Sequence, residues 1–189
     1  MTGKPELRAQ LRQRRRELPE AARRESAARV PRLVDGLPGW GRAQNIGLYL
    51  PADGEMDTAP LAAHCRDRDR TLFLPVINAD NSLTFAHWRR DQALIENRFG
   101  IAEPPPQAER IGPAALDILF MPLVGWDRRG GRLGMGGGFY DRTLAGVSRP
   151  LLVGLAHAVQ EVGSLPMESW DVPLDAVITG AELVTIFNK

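Results

Sequence analysis

Short apolar runs that alternate with helix-like segments constrain this fold more than any other feature of the sequence. The most apolar run covers residues 118–124, and similar runs cover 46–50, 71–77 and 151–156. Runs of this length, bounded by proline, glycine or polar residues, are typical of buried strands in a parallel sheet. The pattern predicts an α/β domain with a mostly parallel sheet that is covered on both faces.

The remaining elements fit the same interpretation. Apolar spacing predicts helices over residues 5–18, about 20–35, about 59–67 with Thr58 as its cap, and 139–144. Further strands are predicted over 83–88, 176–179 and 183–187. No internal repeat is evident, so we expect one domain over residues 1–189.

Composition narrows the class of protein. The formal net charge is +1 and there is a single cysteine, Cys65. One cysteine allows no internal disulfide and the N-terminal residues lack a secretory signal, so we expect a cytoplasmic protein. No apolar run reaches the roughly 18 residues of a membrane span. The balanced charge argues against a partner nucleic acid, and a monomer is favoured although the sequence does not fix the oligomeric state.

Residues 130–142 form the segment that stands out chemically. It contains four glycines within positions 134–138, follows a buried strand and precedes a helix-like stretch. Glycines there let successive backbone N–H groups converge on an anion, and Arg132 adds a two-pronged donor for phosphate oxygens. Position 139 is Phe and no lysine is near, so neither the dinucleotide fingerprint nor a Walker loop is present.

Charged residues near this segment allow two interpretations each. In the first interpretation, Asp141 lies next to a phosphate and Mg²⁺ between the two prevents repulsion. In the second, Asp141 is a residue of the first helical turn, where the helix dipole favours a negative charge. The basic excess of residues 1–32, which includes Lys4 and Arg8, is either a solvated helix face or an anion site.

The segment from Arg132 to Arg142 closely resembles the signature loop of the 5-formyltetrahydrofolate cyclo-ligase family, also called 5,10-methenyltetrahydrofolate synthetases. The resemblance covers nearly the whole chain. Five further blocks lie in register with it: Lys4 with Arg8, residues 50–58, residues 99–104, residues 125–127, and residues 156–160 with 171–175. Two positions depart from the usual pattern: Phe139 replaces a tyrosine, and Met135 stands where an aromatic or basic residue is common.

The resemblance implies a fold and a reaction. The fold would be a three-layer α/β/α domain similar to the NagB/ribose-5-phosphate isomerase/CoA-transferase group. The reaction would use ATP and Mg²⁺ to close 5-formyltetrahydrofolate to 5,10-methenyltetrahydrofolate, releasing ADP and phosphate. Phosphorylation of the formyl oxygen would give an imidate that N10 attacks, so the protein would hold phosphate, metal and pterin in line.

The resemblance also implies roles for individual residues. Arg132, Tyr140 and Asp141 would be catalytic, and Asp141 and Asp175 would bind Mg²⁺. The folate pocket would be lined by Leu50, Glu55 and Phe139. The nucleotide would be held by Lys4, Arg8, Arg132, Leu133, Gly134, Met135, Gly136, Gly137, Gly138, Phe139 and Tyr140.

Two alternatives stay open from the sequence. One is an ATP-dependent paralogue of the same fold that acts on another substrate, for instance in thiamine metabolism. The other is a non-catalytic protein that binds folate or nucleotide. Retention of Asp141, Asp175, Lys4 and Arg8 argues against the second, because a protein that only binds folate needs no metal.

Overall fold

The computed structural model describes residues 3–97 and 100–186. Within this part of the chain there are four α-helices and twelve strands. The helices are α1 (Lys4–Glu17), α2 (Glu20–Leu33), α3 (Ala59–Arg66) and α4 (Phe139–Leu144). The strands are β1 (Asn45–Gly47), β2 (Thr71–Ile77), β3 (Leu83–His87), β4 (Ile95–Glu96), β5 (Ala102–Glu103), β6 (Arg110–Ile111), β7 (Ile118–Pro122), β8 (Gly125–Trp126), β9 (Arg132–Leu133), β10 (Leu151–Leu155), β11 (Ala176–Ile178) and β12 (Leu183–Thr185).

The main sheet has eight strands in the order β12-β11-β10-β7-β1-β2-β3-β6. The five consecutive strands from β11 to β2 are parallel, whereas β12, β3 and β6 join antiparallel at the two edges. This confirms the α/β class and the mostly parallel sheet. The most apolar segment, β7, occupies the centre between β1 and β10, as its continuous burial requires.

Alternate residues of the central strands build two apolar layers. Ile118 and Phe120 of β7 pack in the cluster with α2 and α3. Leu119 and Met121 pack on the opposite face with Leu144 of α4 and with loop residues. The sheet is therefore covered on both faces, but the second cover is thin, because α4 has only six residues.

The carboxyl ends of the parallel strands share one edge of the sheet. Helix α1 lies across this edge, where Leu11 packs with Val124, Leu133 and Leu165. Two small antiparallel pairs, β8 with β9 and β4 with β5, are added outside the main sheet. In open α/β sheets, ligands bind outside the carboxyl ends of the strands, so this edge is the natural position for a site.

Several predicted boundaries differ from the structure. The second helix ends at Leu33 and continues as a 3-10 turn, and the strand predicted over 46–50 ends at Gly47. A hairpin, β8 with β9, separates the central strand from the glycine loop. The Thr58 hydroxyl does not cap α3: it donates to the carbonyl of Tyr49, and the Asp57 carboxylate accepts the N–H of Ala59 instead. Phe99 and Phe187, which belonged to predicted segments, lie outside the described residues.

Among the helices that the structure describes, none has the length and apolarity needed to cross a membrane.

Candidate active site

A cleft of about 1140 Å³ opens at the carboxyl edge of the sheet. Its walls come from the N-terminal half of α1, the segments that follow β1 and β7, the glycine loop with α4, and residues 168–173. It brings together every residue that the sequence singled out for nucleotide or folate, and also Asp141. Two groups of residues predicted for different ligands thus share one cavity.

The glycine loop presents unused backbone donors to this cavity. Within the described chain, none of the N–H groups of residues 134–138 donates a hydrogen bond. Gly136 and Gly138 adopt φ values of +103° and +66°, which side chains disfavour. A Cβ on Gly136 would also lie 3.5 Å from the Arg8 guanidinium carbon. A run of unpaired N–H groups in such a conformation is an anion-binding arrangement.

Helix α1 places two cations on the cavity wall, and one of them contacts the glycine loop. Lys4 and Arg8 lie four residues apart, so they share one helix face. The Nε of Arg8 donates to the Gly134 carbonyl at 2.8 Å, which ties α1 to the loop. The Nζ of Lys4 lies 3.2 Å from a carboxylate oxygen of Asp171 and 3.5 Å from one of Glu168. An entering anion would therefore meet a lysine that is already held at the cavity wall.

Arg132 and Asp141 form the central ion pair of the site. The distance from the Arg132 guanidinium to Oδ1 of Asp141 is 2.6 Å, and the N–H of Val172 donates to the same oxygen. The Arg132 side chain is only 6% exposed. Its Nε has no hydrogen-bond partner among the described residues. A buried donor without a partner is costly, so this nitrogen favours an acceptor supplied by a ligand.

The Asp175 carboxylate pairs with Arg149, so its role as a metal ligand beside Asp141 stays a prediction. Arg149 donates to both oxygens of the Asp175 carboxylate, at 2.6 and 2.8 Å, and the N–H of Leu152 donates as well. Asp175 thus fixes the start of β11 beside β10 and is absent from the cavity wall. No group of three or more potential metal ligands occurs in residues 3–97 and 100–186.

The segment after β1 carries Leu50 and Glu55 into the opposite wall. Glu55 is held from its own loop, because its Oε2 accepts the N–H of Ala52 at 3.0 Å. Burial raises the pKa of Glu55, and Arg15 partly opposes this rise. Oε1 of Glu55 lies 3.7 Å from the Arg15 guanidinium. The loop therefore presents a carboxylate in an apolar setting, which suits a ligand with two parallel N–H donors.

Aromatic side chains line the cavity, among them Tyr49, Phe139 and Tyr140. The Phe139 ring folds over the loop, so that a Cβ on Gly137 would lie 2.5 Å from it. Tyr140 has its ring 5.7 Å from the Arg132 guanidinium carbon, and burial raises its pKa. The hydroxyl of Tyr49 donates to the Met56 carbonyl, and burial with the nearby Glu55 charge raises its pKa too. Both phenols are neutral donors at physiological pH.

Sequence reasoning missed four charged residues of this region. Glu103, Arg149 and Asp171 line the cavity, and Arg15 lies buried below it. Glu103 is mostly buried and accepts the N–H of Ile77 at 3.1 Å. The first three reach the site through contacts distant in sequence, and although Glu103 and Asp171 lie in segments that carry the resemblance, the sequence assigned them no role. One sequence feature could have indicated that Arg15 is buried. It lies four residues after Leu11, on the apolar face of α1.

Comparison with known proteins gives a consistent result. The model of the 5-formyltetrahydrofolate cyclo-ligase family matches residues 1–180. The chain is 37% identical to the 5-formyltetrahydrofolate cyclo-ligase of Haemophilus influenzae, covering 93% of this chain and 96% of that one. It is also 37% identical to that of Escherichia coli K12, covering 92% and 98%. A solved 5,10-methenyltetrahydrofolate synthetase of Aquifex aeolicus superposes with a TM-score of 0.86 at 32% identity, covering 98% of this chain and 94% of that one.

Proposed function

The chain belongs to the 5-formyltetrahydrofolate cyclo-ligase family, and we propose that it closes 5-formyltetrahydrofolate to 5,10-methenyltetrahydrofolate. The reaction consumes ATP and releases ADP and phosphate. One observation carries the proposal: a single cleft holds a loop of unpaired N–H groups on one wall and the Glu55 carboxylate on the other. These are complementary to a polyphosphate and to the donor edge of a pterin.

The nucleotide half uses charge and backbone donors. The N–H groups of residues 134–138 surround phosphate oxygens, and Arg132 offers its unpartnered Nε to the same group. Lys4 exchanges part of its pairing with Asp171 and Glu168 for the phosphate charge. Arg8 fixes the loop through Gly134 and adds positive charge beside it.

The chemistry follows from holding two reactants in line. The formyl oxygen attacks the terminal phosphorus and ADP leaves, which converts a poor leaving group into a phosphate ester. N10 then attacks the activated carbon, the carbon–oxygen bond breaks, and phosphate and the N10 proton are released. Phosphoryl transfer depends on positioning and on stabilising charge, and Arg132 and Tyr140 both line the cleft, in contact with each other.

Asp141 is the residue that fits Mg²⁺. Both of its described hydrogen bonds go to Oδ1, and it lines the cleft directly after the glycine loop. Mg²⁺ in nucleotide sites commonly takes one or two carboxylates together with phosphates and waters, so one carboxylate suffices. When bound, the ion would neutralise phosphate charge. Asp175, the second carboxylate that the resemblance implies, is paired with Arg149 through both of its oxygens, so it would bind Mg²⁺ only after that pair opens.

The folate half recognises shape and donors. Glu55 accepts the ring N–H and the exocyclic amine of the reduced pterin, while Leu50 and Phe139 pack on its faces. The aromatic ring at position 139 supplies stacking without a hydroxyl. A cytoplasmic location and a monomeric state stay predictions that rest on the sequence.

The test is the absorbance of the methenyl product formed from 5-formyltetrahydrofolate by the purified protein. We expect product only when ATP, Mg²⁺ and folate are all present, with one ADP released for each product. Formation at an equal rate without ATP would refute the mechanism. Binding of folate and nucleotide without product would instead favour the non-catalytic alternative.

A further inference from the structure

A buried arginine that the proposed reaction does not use lies beneath the Glu55 loop. The Arg15 side chain has 0% exposure. Its Nε donates to the Asp53 carbonyl at 3.0 Å, and its two terminal nitrogens donate to the Leu123 carbonyl at 3.2 Å and to the Asp53 carboxylate at 2.9 Å. Burial of a charge is expensive unless hydrogen bonds compensate it, so this placement calls for an explanation.

The partners of Arg15 belong to two neighbouring strand ends. Leu123 follows β7 and lines the cleft, and Asp53 lies in the loop that follows β1. Strands β1 and β7 are adjacent in the sheet. A single planar guanidinium therefore links the two chain segments that form the floor of the cleft. Because Asp53 and Gly54 have φ values of +52° and +78°, the loop has a backbone that needs such fixing.

The same guanidinium forms an ion pair with Glu55, its Nη1 lying 3.7 Å from Oε1, and no other such pair of Glu55 occurs among the described residues. His157, which bonds the Gly54 carbonyl, contributes no charge, because burial lowers its pKa. The remaining titratable groups that act on Glu55 or on which it acts are acids or phenols: Asp53 of its own loop, Tyr49 at the end of β1 and Tyr140 of α4.

We propose that Arg15 is a positioning residue for folate recognition: it fixes residues 52–56 and holds a cation beside the Glu55 carboxylate that faces the pterin. This inference rests on the proposed function. It also makes α1 a link between the two half-sites, since the same helix carries Lys4 and Arg8 to the nucleotide loop. Arg15 itself touches neither substrate.

The matched control is Arg16, the next residue of α1. Arg16 also pairs with the Asp53 carboxylate, but its side chain is 55% exposed, and among the described residues Asp53 is its one ion-pair partner. Arg15→Met removes both the charge and the planar guanidinium, whereas Arg15→Lys keeps the charge alone. Arg16→Met removes only a contact to Asp53, so the comparison separates the role of Arg15 from a general loss of contacts to Asp53.

The experiment measures kcat and both KM values over a series of pH values for these variants and the parent protein. For Arg15→Met we expect the KM for 5-formyltetrahydrofolate to rise about tenfold, with the KM for ATP nearly unchanged. This increase in KM should be smaller at high pH. Loss of the cation raises the pKa of Glu55, so the carboxylate is ionised again only at higher pH. Arg15→Lys should have the pH profile of the parent protein but a KM for 5-formyltetrahydrofolate between those of the parent and Arg15→Met. Arg16→Met should have the kinetic constants of the parent.

A second measurement does not depend on turnover. Carbon-13 NMR titration of the Glu55 carboxyl, assigned with Glu55→Gln, is expected to show a higher pKa in Arg15→Met than in Arg16→Met. Equal rises in both KM values with an unchanged pH profile, or an unchanged Glu55 titration, would overturn the positioning role. If Arg15→Met does not fold, Arg15→Lys decides: the KM for 5-formyltetrahydrofolate should rise while the KM for ATP stays nearly unchanged, and equal rises in both would overturn the positioning role. A parent protein without cyclisation activity refutes the proposed function instead, and the inference fails with it.

Discussion

The two loops that face each other across the cleft are built in opposite ways. In residues 49–58 the chain satisfies itself: Glu55 bonds Ala52, Tyr49 bonds Met56, and Asp53 is held by α1. In residues 134–138 the backbone donors are unpaired within the described chain, and the loop is tied to α1 through one carbonyl. Residues 49–58 form a preformed wall, which suits a rigid bicyclic ligand such as a pterin. Residues 134–138 leave donors unpaired, and a flexible polyphosphate can supply the missing acceptors.

The contrast predicts where substitutions have their largest effects. On the glycine-loop wall the protein donors are paired by the ligand and not by other protein groups. When a substitution removes such a donor, no neighbouring group takes its place. We expect Arg132→Gln to lower kcat/KM about 100-fold, or about 2.7 kcal/mol. The reason is that both the pair with Asp141 and the unpartnered Nε are lost.

Steady-state kinetics together with urea unfolding test this prediction. Arg149→Gln is the control, because Arg149 also lines the cleft and also pairs with an aspartate. It is expected to lower stability with a much smaller effect on kcat/KM. Equal losses in both variants would mean that Arg132 acts only through folding.

The next effect concerns the metal. Asp141→Asn is expected to lower kcat tenfold or more, on the order of at least 1.4 kcal/mol, because an amide no longer balances Mg²⁺ between protein and phosphate. Raised Mg²⁺ should recover part of the loss. Asp175→Asn tests the second carboxylate that the resemblance implies. An altered Mg²⁺ dependence would support Asp175 as a ligand, whereas an unchanged one would assign its carboxylate to the pair with Arg149 alone.

These two aspartates show how far the sequence reaches. The glycine loop, Arg132 and Asp141 lie within ten residues of sequence, so their shared location follows from local sequence alone. Asp175 lies 26 residues from Arg149, and no local pattern reports that the two pair. Glu103 and Asp171 enter the cleft in the same way, through packing of distant segments. The sheet was predictable because apolar runs mark buried strands, whereas the direction of an acidic side chain depends on which cation the fold brings near it.

On the opposite wall the expected effect is selective. Glu55→Gln leaves one pterin donor without an acceptor on a buried edge, which costs roughly 1–3 kcal/mol. The KM for 5-formyltetrahydrofolate should rise about tenfold, with the KM for ATP nearly unchanged. Initial-rate kinetics with each substrate varied in turn measure both values. Unchanged constants would show that the folate wall lies elsewhere in the cleft.

The smallest effect lies below the folate wall, at His157. Its Nε2 lies 3.2 Å from the Gly54 carbonyl, which can only accept, so Nε2 carries the proton and Nδ1 does not. Nδ1 is buried and has no partner among the described residues. Protonation would therefore place a charge and an unsatisfied donor in the interior, which is why burial lowers the pKa of His157 from 6.5.

The consequence for stability has a definite sign. The unfolded chain takes up the His157 proton at a higher pH than the folded one, so the folded state loses stability as the pH falls from about 6.5 toward the lowered value. Urea midpoints measured from about pH 8 to about pH 5 should decrease with acidification. In His157→Gln the decrease over this interval should be smaller, because the substituted amide does not titrate. An identical slope in the variant would assign the acid sensitivity to other groups and leave His157 as packing alone.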